Sequence, residues 1–266
     1  LLAGEHWVRE ENVGGVLMLD TQLDRLREVV GRSLSEDVRR QHHELLARAL
    51  EVEEPSMHEQ LAHHHAEAGH LVLAIQHART AAEHAMQQLA FDRAAKLLGR
   101  AASMATAGEQ DQLALQLVQA LVAAGRGAEA AEIALPAAAG RTDDDARDMR
   151  RLAAEGLLQT GRLDSALEVY RTVARDEAIT LPKGKASTLA ALLAARAALG
   201  LRSSVPAERD DPAQRRRIDV LGALSTVLLL IDPLSGALVH TRRLLLALEY
   251  GDARQMAIAL ASEGAM

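Results

Sequence analysis

Histidine is the residue whose type and spacing most suggest chemistry in this sequence. The segment LAHHHAEAGH, residues 61–70, holds four histidines in ten positions, and His63, His70, His77 and His84 recur at intervals of seven. Neutral imidazoles bind transition metals, and they exchange protons near neutral pH. The pattern could therefore mark a metal site, a pH-sensitive switch or a packing surface between helices.

The spacing itself does not predict a metal site. Zn–N bonds are about 2.0–2.1 Å long, whereas residues seven apart on a helix are separated by roughly 10 Å along its axis. Two histidines four apart could share an ion, but the sequence has no such pair, and the nearest match is His63 with Glu67. We therefore expect no metal ligands, with some histidines in solvent and one or two in a seam between helices. A pH switch stays open, because neutral histidines gain charge below roughly pH 6.5.

The other motifs that we tested predict neither a catalytic site nor a cofactor site in this chain. Cysteine is absent, which excludes disulfides, thiolate metal sites and a cysteine nucleophile. The segment LPKGKAST, residues 181–188, is not a phosphate-binding loop, because that motif needs glycine at Ile179 and Ser or Thr at Ala186. The consecutive carboxylates at 143–145 suit the N-terminus of a helix better than paired acid–base work. We expect this chain itself not to be an enzyme.

The composition predicts an all-α protein. Apolar residues make up 48% of the 266, but aromatic residues only 2%, which favours closely packed helices over sheets rich in aromatic and β-branched side chains. The formal net charge of −7 argues against contact with nucleic acid. The longest apolar run, Val220–Ile231, is shorter than the roughly 20 residues that a membrane span needs. We expect it to be a buried helix, and we expect no membrane contact.

Two features precede the main helical region. HWVREENVGGVLMLD alternates on either side of a turn, so a short β-hairpin is predicted from about His6 to Asp20. The apolar spacing over Leu23–Val30 predicts a short amphipathic helix.

Capping patterns predict several helix starts. Ser35 is an expected N-cap, and Asp211-Pro212 has the residues of an N-cap and a first helical position. The pairs Ser56/Glu59 and Thr142/Asp145 have the spacing of capping boxes. After Asp211, three helices are expected, near 212–231, 235–249 and 252–263.

An internal repeat of 36 residues is the most informative pattern. AAGRGAEAAEIAL (123–135) aligns with QTGRLDSALEVYR (159–171), and the same step backwards reaches QLAFDRAAKLLGR (88–100), where Leu89 replaces a glycine. Glycine can end a helix in the left-handed conformation, and an alanine five residues later suits a close crossing by the returning helix. The predicted structural positions of the repeat, with one pair out of phase, are Gly69, Ala74, Ala94, Gly125, Ala130, Gly161 and Ala166.

Repeats about 34 residues long, built as helix, turn and helix, are tetratricopeptide-like. The sequence resembles them, with leucine and alanine in place of their aromatic residues. The expected fold is a tetratricopeptide-like helical-repeat superhelix that follows a short N-terminal β-hairpin. Three segments are predicted: a truncated winged-helix remnant (1–52), the repeats (53–200) and further helical hairpins (201–266).

Longer stretches resemble a known arrangement of domains. LDRLREVVGRSLSEDVRRQHHELLARALE (23–51), followed by residues 61–102, resembles the junction in large multidomain bacterial signalling ATPases where a winged-helix element leads into tetratricopeptide-like repeats. His65 stands where that family has an aromatic residue. Residues 241–265 are similar to the C-terminal helical arm of bacterial serine/threonine protein kinases that carry an AAA/STAND-type ATPase module. The positions that carry the resemblance are Asp24, Leu26, Arg27, Glu28, Val30, Leu34, Ser35, Arg39, His43, Leu61, Ala62, His64, Ala68, Gly69, Ala90, Phe91 and Ala94.

The resemblance implies a function for the chain as part of a larger protein. It implies a cytoplasmic, non-catalytic protein-interaction or sensor arm, with ATP and Mg²⁺ bound only by upstream domains of the parent. The expected partner is a protein or peptide, including the parent's own ATPase or kinase domains. Because the sequence begins at Leu1, we expect a piece of a longer polypeptide. An equivalent arm of an ATPase-type transcriptional activator, a stand-alone helical scaffold and an enzyme with an unrecognised site between helices remain alternatives.

Overall fold

The predicted all-α class is confirmed for the described part of the chain. The computed structural model describes residues 8–13, 16–21, 29, 32–201 and 211–264. Two short strands, β1 (Val8–Val13) and β2 (Val16–Thr21), pair antiparallel at the N-terminus, with Val13 opposite Val16. The short helix predicted at Leu23–Val30 lies almost entirely outside the described residues.

Helices form most of the rest of the described chain. None of the helices in the described ranges is long and apolar enough to cross a membrane. Their bounds are α1 Glu36–Glu53, α2 His58–Ala68, α3 Leu71–Gln87, α4 Phe91–Met104, α5 Ala107–Ala123, α6 Gly127–Ala137, α7 Asp144–Gln159, α8 Leu163–Asp176, α9 Lys185–Gly200, α10 Pro212–Ile231, α11 Pro233–Tyr250 and α12 Ala253–Gly264.

Contacts divide the chain into two compact units. Unit 1 is Leu1–His84 with Ser103–Ala105, and unit 2 is Ala85–Ala102 with Thr106–Met266. In unit 1, α1 packs against α2. In unit 2, α5 to α8 contact one another in chain order, and α11 packs against α9, α10 and α12. The segment boundaries predicted at 52 and 200 stay predictions.

Several helix ends in the described ranges share one hydrogen-bond pattern. At Gly125, with φ +75°, the Gly125 N–H donates to the Val122 carbonyl at 3.0 Å, and the next N–H donates to the Leu121 carbonyl at 2.8 Å. These paired bonds satisfy carbonyls that a helix end would leave open, and they require a left-handed residue. Gly161, with φ +75°, repeats the pattern, and Leu89 adopts it with φ +58° despite its Cβ.

Small residues lie where neighbouring helices meet. The four predicted alanines of the repeat, Ala74, Ala94, Ala130 and Ala166, are each 0% exposed. α6 and α7 approach each other closely at a pair of glycines: a Cβ at Gly127 would collide with the Gly156 carbonyl, and a Cβ at Gly156 would lie 2.6 Å from the Gly127 Cα. The backbones of these two helices therefore touch at a point that has no room for a methyl group.

Two of the predicted helix starts are confirmed. The Ser35 hydroxyl accepts the N–H of Val38, and Asp211 caps α10 with Pro212 as its first residue. Two others are displaced by one residue. α2 begins after Met57, because the Ser56 carbonyl takes part in a tight turn with His58. α7 is capped by Asp143, the residue after the predicted Thr142, and Asp143 accepts the N–H of Ala146 at 3.0 Å.

Candidate functional site

A cluster of three histidines forms where α1 packs against α2. His43 lies on α1, and His63 and His64 are neighbours on α2. The Nδ1 atoms of His43 and His64 are 2.8 Å apart, and the His43 and His63 rings meet edge to face with centroids 5.5 Å apart. One possible ligand atom from each of the three side chains lies within 4.8 Å of the other two. Three imidazoles from two helices therefore converge on one small volume.

Burial makes these imidazoles poor bases. His43 and His64 are half-buried, and desolvation is the main cause that lowers the pKa of each below its ordinary value. Electrostatic interaction with His63 lowers both pKa values further. The Arg39 charge lowers the pKa of His43, while the Glu67 carboxylate raises both pKa values. The neutral form is therefore favoured at neutral pH, and it is the form that accepts a hydrogen bond or binds a metal ion.

A second group brings together side chains from α1, α2 and α3. His65 is 3% exposed, and its Nε2 lies 3.1 Å from a carboxylate oxygen of Glu51. The ring of His77 on α3 stacks on His65, with centroids 5.4 Å apart and an angle of 3° between the planes, and its Nδ1 lies 3.1 Å from that of His58. Burial is the main cause that lowers the pKa of His77. His58 and His65 lower this pKa further, and Glu51 raises it. His65 thus packs as a stacked, buried ring at the position where an aromatic residue was expected.

The series at intervals of seven does not form a single site. His63 belongs to the first cluster and His77 to the second group. The His70 ring lies 5.8 Å from His65, and the His84 ring lies 5.5 Å from His58. Spacing along one helix did not reveal the cluster because one of its members lies on the preceding helix. The signal in the sequence was the pair at 42–43, one helix before the triplet at 63–65.

A cleft of about 810 Å³ opens among α7, α8, α10, α11 and α12 of unit 2. Its apolar lining includes Leu158, Val173 and Tyr170, and the Tyr170 side chain is only 2% exposed. Basic and acidic groups are equal in number, so net charge does not select a ligand here. The charged lining residues are Arg147, Asp148, Arg151, Glu155, Glu177, Arg216, Asp219, Arg243, Asp252 and Arg254.

Two groups in this cleft have shifted pKa values. Burial raises the pKa of Tyr170 to about 12, with a further rise from Glu155 and an opposing effect of Arg151. Burial also lowers the pKa of the Arg243 guanidinium, which Asp219 opposes. A phenol with so high a pKa keeps its proton at neutral pH, and general acid–base catalysis works best with a group that titrates near the operating pH. Tyr170 is therefore a buried core residue that is poorly suited to proton transfer at neutral pH.

The segment LPKGKAST lines another cavity of unit 2, of about 650 Å³. Gly184, with φ +91°, precedes α9, and the Ser187 hydroxyl donates to the carbonyls of Lys183 and Gly184. The Ser187 hydroxyl is therefore engaged in hydrogen bonds to backbone carbonyls at the start of its own helix. The segment is therefore a loop that leads into helix α9.

The glycines predicted for the repeat have positive φ, and the predicted alanines are fully buried. They include no residue of the histidine cluster or of the charged cleft. Compared with protein-family models and with curated proteins, the chain matches none.

Proposed function

We propose that the chain is a non-catalytic protein-interaction arm of a multidomain bacterial signalling protein, of the serine/threonine kinase–ATPase type. The observation that carries this proposal is the charged cleft of unit 2, to which five helices contribute. In the proposed tetratricopeptide-like superhelix, successive helix pairs present such a surface along the array. The resemblance of residues 23–51, 61–102 and 241–265 supports the type of parent, with the strands at the N-terminus as the wing of a winged-helix element.

The residues that line the cleft indicate the kind of partner that it binds. Leu158 and Ile258, which line the cleft and are not buried, offer a place for one apolar side chain, and the surrounding charges suit a segment that carries both signs. Charged groups at an interface fix the register and exclude wrong partners more than they add affinity. The partner is therefore a protein segment of mixed charge with an apolar anchor, and the parent's own ATPase or kinase domain is the first candidate.

Binding of the partner acts by stabilising one arrangement of the arm relative to the parent's ATPase domain. A partner shifts such an equilibrium only as far as its affinities for the two arrangements differ. ATP and Mg²⁺ are bound by the upstream domains, in the cytoplasm, and the arm contributes recognition.

The test begins with the reading frame upstream of Leu1. The upstream segment is expressed as a separate protein, and its dissociation constant with the 266-residue chain is measured by calorimetry. Arg151→Glu reverses a charge in the cleft, and we expect it to weaken binding by about tenfold, or about 1.4 kcal/mol. Lys96→Glu, an equal charge change at an exposed residue outside the cleft, is expected to leave the constant unchanged. Absence of binding, or equal effects of the two variants, contradicts the proposal.

A further inference from the structure

We propose that His43, His63 and His64 form a binding site for a divalent transition-metal ion, with Zn²⁺ as the ion of choice. The three side chains come from two helices, and each offers a ligand atom within 4.8 Å of the others. This site lies in unit 1 and is independent of the cleft in unit 2 on which the proposed function depends.

The distance between two of the three ligand atoms leaves only a small adjustment for binding. Zn–N bonds of about 2.05 Å in a tetrahedral site place two nitrogens about 3.4 Å apart. The Nδ1 atoms of His43 and His64 are 2.8 Å apart, and two neutral imidazoles at that distance must share one proton, because each has one donor and one acceptor nitrogen. Replacing this proton by an ion requires the two atoms to separate by about 0.6 Å, which a small rotation of each ring supplies.

The charged groups around the three histidines act on a bound cation in both directions. Glu67 lies one helical turn after His63, and its negative charge reaches both His43 and His64. A water molecule or the Glu67 carboxylate would take the fourth position of a tetrahedron, while the Arg39 charge beside His43 opposes binding. Imidazole ligands without a thiolate suit Zn²⁺, Cu²⁺ and Ni²⁺, whereas Mg²⁺ and Ca²⁺ prefer oxygen ligands.

The second histidine group is less suited to an ion, although Glu51, His65 and His77 also lie close together. The His65 and His77 rings are parallel within 3°. Imidazole lone pairs lie in the plane of the ring, so parallel stacked rings direct them side by side instead of towards one point.

Bound metal would join α1 to α2 across their contact. An ion that binds the folded state and not the unfolded chain stabilises the fold, by about 2.7 kcal/mol when its concentration is 100 times the dissociation constant. The inferred role of the ion is therefore structural: it links α1 to α2 and stabilises unit 1.

The test is equilibrium dialysis of the tag-free, full 266-residue chain against Zn²⁺. We expect one equivalent to bind saturably. His43→Gln and His64→Gln each remove one ligand and are expected to raise the dissociation constant by about 100-fold or more, since loss of even outer-shell partners costs 10–100-fold. His42→Gln changes an exposed histidine beside the cluster and is expected to leave the constant unchanged. Far-UV circular dichroism establishes that each variant keeps its helices.

Three outcomes would overturn the assignment. These are the absence of saturable binding by the unmodified chain, equal losses in His42→Gln and His43→Gln, and loss of binding in His77→Gln with none in His64→Gln. The last result would move the ion to the second group.

Discussion

Tyr170 shows how burial controls a single residue in this protein. Its side chain is 2% exposed, and its pKa of about 12 exceeds the ordinary tyrosine value of about 10. Up to about pH 10 both the folded and the unfolded chain keep the phenol proton; between about pH 10 and pH 12 the unfolded chain loses it first. The stability linked to this proton is therefore fully present below pH 10 and is lost as the pH rises through that window.

Substitution of Tyr170 by phenylalanine should remove this part of the alkaline instability. In that window the free energy of unfolding of the unmodified chain should fall by up to about 1.4 kcal/mol per pH unit more steeply than that of Tyr170→Phe. Urea unfolding of both proteins across the window measures the difference, and other groups that titrate there affect both equally. Parallel curves would show that the phenol ionises equally easily in the folded protein.

At the scale of the helix, Leu89 is a strained substitute for glycine. It ends α3 with φ +58°, in the position that Gly125 and Gly161 occupy 36 and 72 residues later. A left-handed residue with a Cβ is strained by roughly 1–2 kcal/mol. Glycine removes this strain, but part of the gain is lost because glycine has more conformational freedom in the unfolded chain. Because the Leu89 side chain is 72% exposed, little burial is lost on its removal.

Leu89→Gly is therefore expected to stabilise the protein by about 0.5–1 kcal/mol, as measured by urea unfolding. Leu193→Gly is the matched control, because Leu193 lies within α9 and is also exposed, at 62%. There glycine should destabilise by about 1 kcal/mol. A loss of stability in both variants would mean that the left-handed conformation of Leu89 carries little strain.

The contact between α6 and α7 depends on two glycines. Because a Cβ at Gly127 would collide with the Gly156 carbonyl, we expect Gly127→Ala to force the helices apart and to destabilise the fold by about 2–3 kcal/mol. Gly99→Ala is the control, since nothing lies within 4 Å of a Cβ there and the residue is within α4. It should instead stabilise by about 0.5–1 kcal/mol. Thermal unfolding of both variants measures these changes in stability. If Gly127→Ala left the stability unchanged, the close contact between α6 and α7 would be contradicted.

The same two helices show what the sequence could predict and what it could not. Gly125 and Gly161, predicted from the 36-residue period, have positive φ at helix ends, where the residue type can be recognised locally. The close contact of Gly127 with Gly156 was missed, since which faces of two helices meet depends on their packing and not on either sequence alone. His43 was missed as a neighbour of His64 for the same reason. The cleft of unit 2, formed by five helices, depends on that packing even more.

At the scale of the whole molecule, the two units give the metal proposal a spatial test. The three histidines lie in α1 and α2 of unit 1, while α5 to α12 lie in unit 2. Binding to the folded state reduces the opening of the region that supplies the ligands, and hydrogen exchange reports that opening locally. Zn²⁺ should therefore slow amide exchange in α1 and α2 and leave exchange in α10 and α11 unchanged, as measured by mass spectrometry of the full chain.

The His64→Gln variant should lose this protection, whereas His42→Gln should keep it. The comparison separates a specific site from general binding of Zn²⁺ to exposed carboxylates and imidazoles, because general binding depends on neither ring in particular. Helices α10 and α11 have their own buried core, including Ile218, Leu244 and Ala247, so their exchange has no reason to respond to an ion held by unit 1. Equal protection of α10 and α11 would show either that the ion binds elsewhere or that the two units unfold as one.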